Sequence, residues 1–480
     1  MLQPHHPPVE QIFHDLLAFL SIPSRDSAPN IQGQDPLTPS PHRIGDAMAA
    51  ALATLGTTLT NLWDLRTKQK SQETFSISTQ NCIAQLMAAF FTTTNGVSCM
   101  DLMDDAKLLG NNDFFQAQGG RWVFLLTTYP ELRDMACWVL GGVASEREVF
   151  EREVAKWDAF ELEREISERG GCCVVVRSAE EWRGCEVGRG LVGKDVVEIE
   201  KLGEAEGEVL RGVRDVGEGT PLEGVRVLDN THVIAGPMAA RMAAEFGADV
   251  LSMAAPKHRD PFGMIVETGI GKRSAWCDLE KEEDQAKFWQ TVEGADVYMS
   301  SYLSLEKKGF GAKEIAKRRP GIVIVEFHAW GSKGPWKDWG GFDQLACSAT
   351  GFSQGEGGTG KPSLPPTHLL NDYLAATLGA AAMVECLRRR EIAGGTWRVE
   401  VNLSRICMWV QSLGMFERDV VAHLAKPDIP KLKEVVGMKT VSGRLGETRY
   451  LPTQIQFHGA MKPGFEAGAE PWGVSKMAWL

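Results

Sequence analysis

The fold is decided by residues 222–250, LEGVRVLDNTHVIAGPMAARMAAEFGADV, which contain a strand, a helix and a second strand. Residues 225–228 form a short apolar run that predicts a strand. Residues 237–246 predict a helix, with proline in its first turn and Gly247 just beyond its end. Residues 249–253 predict the next strand. This β-α-β pattern is typical of neighbouring parallel strands.

The same alternation of strands and helices continues beyond this segment. The pattern predicts helices over 280–291 and 313–318 and strands over 296–299 and 322–327. Strands and helices alternating at this spacing indicate an open, mainly parallel sheet with helices on both faces. We therefore predict an α/β fold with a Rossmann-like lobe, joined to a smaller α+β domain.

An internal repeat divides the chain into two related modules. Residues 46–52, DAMAAAL, align with residues 372–378, DYLAATL, and the match extends without a gap in both directions. Matches outside the alanine run pair His42 with His368 and Ser78 with Ser404. Chance similarity between two alanine-rich helices is the alternative, and the matched polar positions favour duplication.

The modules predict four regions. Residues 1–202 form an incomplete module, with an Asp-helix-strand unit followed by a small domain. Residues 203–221 are rich in glycine and charge, which is typical of a linker. Residues 222–413 form the second module, which carries the βαβ lobe, and residues 414–480 are a C-terminal tail packed on the body.

Composition excludes several classes of function. The chain has 480 residues, 43% hydrophobic composition and a net charge of −12, which disfavours general nucleic-acid binding. Its ten cysteines include no CxxC pair, and the sequence shows no zinc-ligand spacing, so no metal site is predicted. The start of the chain has no signal-peptide pattern, and no stretch is long and apolar enough for a membrane helix. We expect a cytoplasmic protein.

Four blocks in this order resemble the family III CoA-transferases, also called the CaiB/BaiF family. They are residues 222–250, residues 269–280 (GIGKRSAWCDLE), residues 317–351 and the unit that begins at Asp372. The order of the two copies, a first one without a βαβ lobe and a second one with it, resembles the tandem, two-module members of that family.

The resemblance implies that Asp372 is the catalytic nucleophile of an acyl-CoA:carboxylate CoA-transferase. In this family an aspartate carries the reaction through an acyl anhydride and an aspartyl-CoA thioester. On spacing alone, Asp372 also fits an ordinary helix N-cap. Asp46 aligns equally well, but its module lacks a βαβ lobe, so we interpret it as a degenerate or structural copy.

The resemblance also places coenzyme A, as a substrate and not a permanently bound cofactor, against particular residues. These are Val233, Ile234 and Ala235 of the first loop, together with Lys272 and Arg273. The side chains of Lys272 and Arg273 suit phosphates, although a solvated turn is an equal alternative. Lys257, with His258 and Arg259, adds a basic cluster after the second strand, where an open sheet binds its ligand.

Departures from the family pattern leave two alternatives open. Ser301 and Tyr302 stand where the family commonly has Asn-Phe. This departure keeps open the alternative that the protein is catalytically silent and binds CoA esters or a partner protein.

The second alternative is racemase or isomerase chemistry. Phe342 stands where the racemase branch has histidine, and it cannot move a proton, so this chemistry is disfavoured. The sequence names neither acid, and it leaves homodimerisation open.

Overall fold

The computed structural model describes residues 7–68, 73–103, 111–212, 219–257 and 259–480. His258 of the predicted basic cluster and residues 213–218 of the predicted linker lie outside the described residues.

The strands and helices below are numbered in chain order. The strands are β1 (Asn30–Gln32), β2 (Phe75–Ser78), β3 (Thr93–Thr94), β4 (Val97–Ser98), β5 (Asp113–Gln116), β6 (Trp122–Leu125), β7 (Cys173–Val175), β8 (Val197–Gly203), β9 (Arg226–Asn230), β10 (Asp249–Ala254), β11 (Lys272–Trp276), β12 (Val297–Ser300), β13 (Val323–His328), β14 (Thr396–Asn402), β15 (Lys439–Gly443), β16 (Gly446–Tyr450) and β17 (Gln456–Phe457). The helices are α1 (Val9–Phe19), α2 (Ile44–Thr67), α3 (Thr79–Gln85), α4 (Pro130–Val139), α5 (Arg147–Val154), α6 (Ala159–Glu168), α7 (Ala179–Gly184), α8 (Glu186–Arg189), α9 (Ala235–Glu245), α10 (Phe262–Thr268), α11 (Glu282–Glu293), α12 (Ala312–Arg318), α13 (Asp343–Ala349), α14 (Phe352–Gly357), α15 (Asn371–Ala393), α16 (Leu403–Ser412), α17 (Arg418–Val421) and α18 (Ile429–Val435).

The central element is a seven-stranded sheet with the order β11-β10-β9-β12-β13-β14-β8. All neighbours in it are parallel except β8, which runs antiparallel to β14. The six parallel strands follow the doubly wound order, in which the chain reverses its direction across the sheet between β9 and β12. The predicted α/β fold with a mainly parallel sheet is therefore confirmed.

The strand β8 joins this sheet from the first half of the chain. It pairs with β14 over six positions, including Val401 with Val197 and Val399 with Ile199. The sheet thus draws strands from both sides of the segment predicted as a linker.

Three helices, α2, α9 and α15, form the most buried layer of the protein. Helix α15 packs against both α2 and α9. Small residues along α2 and α15 allow the two backbones to approach closely. Gly56 of α2 faces β2, where a Cβ would lie 2.6 Å from the Phe75 ring. The two helices that begin with the aligned aspartates are therefore direct neighbours.

Smaller sheets surround this body. The antiparallel sheet β5-β6-β7 packs with α5 and α6, and α7 begins with a capping box between Ser178 and Glu181. The hairpin β15-β16 pairs with β3 of the first half. Among the helices of the described residues, none has the length and apolarity to cross a membrane.

Candidate active site

Asp372 lies in the first turn of α15, two residues after the N-cap position. Its side chain does not act as the N-cap, because Leu370 holds that position and no side chain caps the helix. The residue is 6% exposed, and among the described residues no group donates a hydrogen bond to its carboxylate. A buried carboxylate without a donor is costly, which is unusual for a purely structural residue.

Asp343, at the start of α13, holds the backbone beneath this carboxylate. Its Oδ2 accepts hydrogen bonds from the backbone N–H groups of Leu370 and Asp372, both at 2.9 Å. The side chain of Asn371 donates to the Asp343 carbonyl and accepts from the thiol of Cys407. The first turn of α15 is therefore fixed from the α13 side, and the Asp372 carboxylate is left unpaired.

The carboxylates of Asp372 and Asp343 differ in basicity. Burial, followed by the nearby Asp343 carboxylate, holds the pKa of Asp372 well above its usual range. Burial also raises the pKa of Asp343, but the backbone N–H groups of residues 370–372 oppose this rise. Because Asp343 has these donors and Asp372 has none, we assign the more basic carboxylate to Asp372.

Two cavities meet at Asp372, and Val233 and Phe342 also line both of them. The first cavity encloses about 890 Å³, including its opening, and extends between the α10 region and residues 89–129 of the first half. The second encloses about 830 Å³, including its opening, and follows the carboxyl ends of the strands past His232, Ser301 and His328. Asp372 can therefore be reached from two directions.

The second cavity lies where a doubly wound sheet binds its ligand. The chain reversal falls between β9 and β12, and the loops after these two strands contact each other. The backbone N–H of His232 donates to the Ser301 hydroxyl at 3.0 Å, and the rings of His232 and Tyr302 stack at 4.5 Å. The departures Ser301 and Tyr302 are thus part of the contact that positions the first loop.

Backbone strain marks the same region. Val233 has a φ of 69° and His368 a φ of 63°, values that residues other than glycine rarely adopt. The Val233 N–H donates to Asp260 Oδ2 at 3.0 Å, which holds the strained loop in place. Such strain concentrates at functional sites, where the surrounding structure supports it.

The predicted loop residues lie beside Asp372. Ile234 lines the first cavity, Ala235 lines the second, and Val233 lines both. Lys257 lines a separate surface cavity at the ends of the strands, together with Lys308.

Lys272 and Arg273 lie away from Asp372, in a neighbouring cavity. The Lys272 ammonium is buried and donates to Asp229 Oδ2 at 2.8 Å and to the Pro237 carbonyl at 2.6 Å. Asp229 precedes the loop and Pro237 follows it, so Lys272 connects the two ends of the loop. The Arg273 guanidinium is held by Asp249.

Asp46 has the same backbone setting as Asp372 but opposite surroundings. Its N–H donates to Asp35 Oδ2 at 2.9 Å, as that of Asp372 does to Asp343. Its carboxylate, however, accepts from Arg43 Nη2 at 2.6 Å, from Arg43 Nε at 2.9 Å and from the Asp35 N–H at 3.0 Å. It is fully buried, and neither cavity at Asp372 includes it.

Comparison with known proteins identifies the second half of the chain. Residues 222–434 match the sequence model of CoA-transferase family III. Over this region the chain is similar to that family. The matched region contains Asp372, Asp343, the loop with Val233 and the whole parallel part of the sheet.

Named CoA-transferases are among its relatives. An acetyl-coenzyme A transferase of Hypoxylon pulicicidum is 29% identical over 51% of this chain and 44% of its own length. An acyl-CoA transferase of Gibberella moniliformis is 30% identical over 58% and 51%, and the α subunit of a succinyl-CoA–L-malate CoA-transferase of Chloroflexus aurantiacus is 30% identical over 39% and 47%. The chain spans about half the length of these relatives.

A solved structure of a hypothetical protein (Rv3272) from Mycobacterium tuberculosis is 27% identical. The match has a TM-score of 0.38 and covers 40% of this chain and 58% of that one.

Two features around these aspartates were not predicted from the sequence. The first is the role of Asp343, because no local pattern in the sequence indicates that it supports the turn at Asp372. The pairing of Arg43 with Asp46 could have been predicted, because the two lie three residues apart at a helix start. Leu369, the residue that aligns with Arg43, has no charge to offer Asp372.

Proposed function

We propose that the protein is an acyl-CoA:carboxylate CoA-transferase in which Asp372 is the covalent carrier. The observation that carries this proposal is the Asp372 carboxylate, which is buried and unpaired among the described residues and lies between two cavities. A desolvated carboxylate with a raised pKa is a stronger nucleophile than one in water, and two cavities allow a thioester to approach along an extended line.

The reaction balances without a cofactor or a net proton transfer. An Asp372 oxygen attacks the thioester carbonyl carbon, the C–S bond breaks, and an acyl-aspartyl anhydride and CoA thiolate form. The thiolate then attacks the Asp372 carbonyl carbon, which releases the first acid as a carboxylate and leaves an aspartyl-CoA thioester. The acceptor carboxylate attacks that thioester to form a second anhydride, and the thiolate removes the new acyl group as acyl-CoA.

On this proposal, coenzyme A follows the second cavity. The apolar loop of Val233, Ile234 and Ala235 borders its pantetheine arm, and Lys257 reaches a phosphate at the ends of the strands. Lys272 supports the loop by joining Asp229 to Pro237. Arg273 remains a proposed phosphate contact.

Racemase chemistry has less support. It needs groups that move a proton at the α-carbon of the thioester, and Phe342 occupies the shared wall of both cavities. The silent-binder alternative is weakened because Ser301 and Tyr302 hold the loop beside Asp372 in place.

The arrangement also supports the proposal that the chain carries two related modules. In each, an aspartate near a helix start donates its N–H to a second aspartate, and the helix leads into a strand and another helix. The order is α2-β2-α3 in the first module and α15-β14-α16 in the second. Asp46 would then be the structural copy, and a homodimer and a cytoplasmic location stay predictions.

Chemical trapping tests the proposal. The protein is incubated with a panel of acyl-CoAs, quenched with hydroxylamine and mapped by mass spectrometry, with Asp372→Asn as the matched control. We expect a hydroxamate at Asp372 in the wild type and none in the variant. No adduct with any acyl-CoA, while CoA-ester binding persists, would favour a silent binding protein. An adduct at Asp46 would assign catalysis to the other module.

A further inference from the structure

The first cavity has the chemistry of an acyl pocket. Asp372 lies at its junction with the second cavity. With coenzyme A in the second cavity, as proposed above, the acid whose carboxyl group reacts there extends its remaining atoms into the first. Most of the described wall is apolar, and both halves of the chain contribute to it, with side chains that include Ala89, Phe90, Met100, Leu126, Met264 and Phe342. An apolar wall of this kind favours a hydrocarbon substituent.

The described wall also lacks a positive charge. Its charged side chains are both acidic, Asp372 at the mouth and Glu267, which is 2% exposed. Arg241 does not line the cavity. Its Nη1 lies 3.4 Å from Glu267 Oε1, so its positive charge is balanced by that carboxylate. His368 also lines the cavity, but burial lowers its pKa, which favours the neutral ring at pH 7.

A second carboxylate on the substrate would therefore be desolvated beside Glu267 without a cation among the described lining residues. Desolvating an unpaired charge is strongly unfavourable, whereas a hydrocarbon chain gains free energy by leaving water. We infer that the transferred acyl group is that of an apolar monocarboxylic acid and that dicarboxylates are excluded. This inference rests on the proposed CoA-transferase function and names its substrate class.

Two exchange reactions test it, each with a single acyl class. Hexanoyl-CoA is incubated with radiolabelled hexanoate and adipoyl-CoA with radiolabelled adipate, so that only the distal carboxylate differs. We expect kcat/KM for the hexanoate pair to exceed that for the adipate pair at least about 100-fold. Equal or faster adipate exchange would overturn the inference and leave the transferase function intact. No exchange with either pair, and no adduct at Asp372, would overturn both.

A cation introduced into the wall of the first cavity tests the same inference independently, through the ratio of adipate to hexanoate exchange. Met264 is half-buried at the cavity, so Met264→Arg introduces a cation there, and Met264→Leu keeps the size without charge. We expect Met264→Arg to raise the ratio of adipate to hexanoate exchange about tenfold or more, and Met264→Leu to keep a ratio near that of the wild type. An unchanged ratio in a folded Met264→Arg protein would contradict the inference.

Discussion

At the residue scale, Asp372 and Asp46 differ in their neighbours and not in their backbone. Each donates its N–H to a buried aspartate at 2.9 Å. Arg43 then satisfies the Asp46 carboxylate, whereas Asp372 faces two cavities. The same local frame therefore yields one stabilising ion pair and one group available for chemistry.

Asp343 should set the pH dependence of the reaction. The burial of Asp372, followed by the charge of Asp343, raises the pKa of Asp372. The ionised carboxylate is the nucleophile, so kcat/KM rises with pH until Asp372 is deprotonated. The variant Asp343→Asn removes the charge but keeps an oxygen that can accept the two backbone N–H groups. We expect the acid limb of the kcat/KM profile to move to lower pH by about one unit.

The control for this shift is the exposed Asp419, because Asp419→Asn makes the same chemical change at a residue that lines neither cavity. Its profile should match the wild type. An acid limb that stays in place, or moves to higher pH, in Asp343→Asn would contradict the assignment of the more basic carboxylate to Asp372.

At the scale of elements, the starts of α2 and α15 differ in the residue three positions before each aspartate. That residue is Arg43 before Asp46 and Leu369 before Asp372. Leu369 lines the first cavity, so its replacement places a new group within reach of the nucleophile.

The variant Leu369→Arg should convert Asp372 into a copy of Asp46. A guanidinium there would pair with the buried carboxylate, lower its pKa and block its approach to a thioester. We expect CoA transfer to fall on the order of 100-fold or more and hydroxamate trapping at Asp372 to disappear. Leu369→Met, which conserves volume without charge, should retain trapping. Undiminished transfer in Leu369→Arg would show that Asp372 does not need to be unpaired.

Four strands of the main sheet followed from the sequence, because each contains a short apolar run near turn signals. The strands predicted over 225–228, 249–253, 296–299 and 322–327 all overlap observed ones. β11 escaped prediction because its residues, KRSAW, form no apolar run. The roles of Lys272 and Asp343 depend on partners 43 and 29 residues away, and no local pattern indicates such pairings.

At the scale of the whole molecule, both halves build the site. The first half supplies β8 to the main sheet, packs α2 against α15 and forms much of the wall of the first cavity. The C-terminal hairpin returns to pair with β3. The region of residues 222–434 that matches the family model therefore relies on the preceding residues to enclose the apolar side of Asp372.

Oxygen labelling tests most directly whether Asp372 forms anhydrides with both acids, as we propose. Protein incubated with hexanoyl-CoA and hexanoate labelled with ¹⁸O in both carboxyl oxygens is digested and analysed by mass spectrometry. Each acceptor carboxylate leaves its bridging oxygen on the aspartate when CoA thiolate removes the acyl group. We predict ¹⁸O in the Asp372 carboxylate and none in Asp46; label-free Asp372 after measurable exchange would contradict the account.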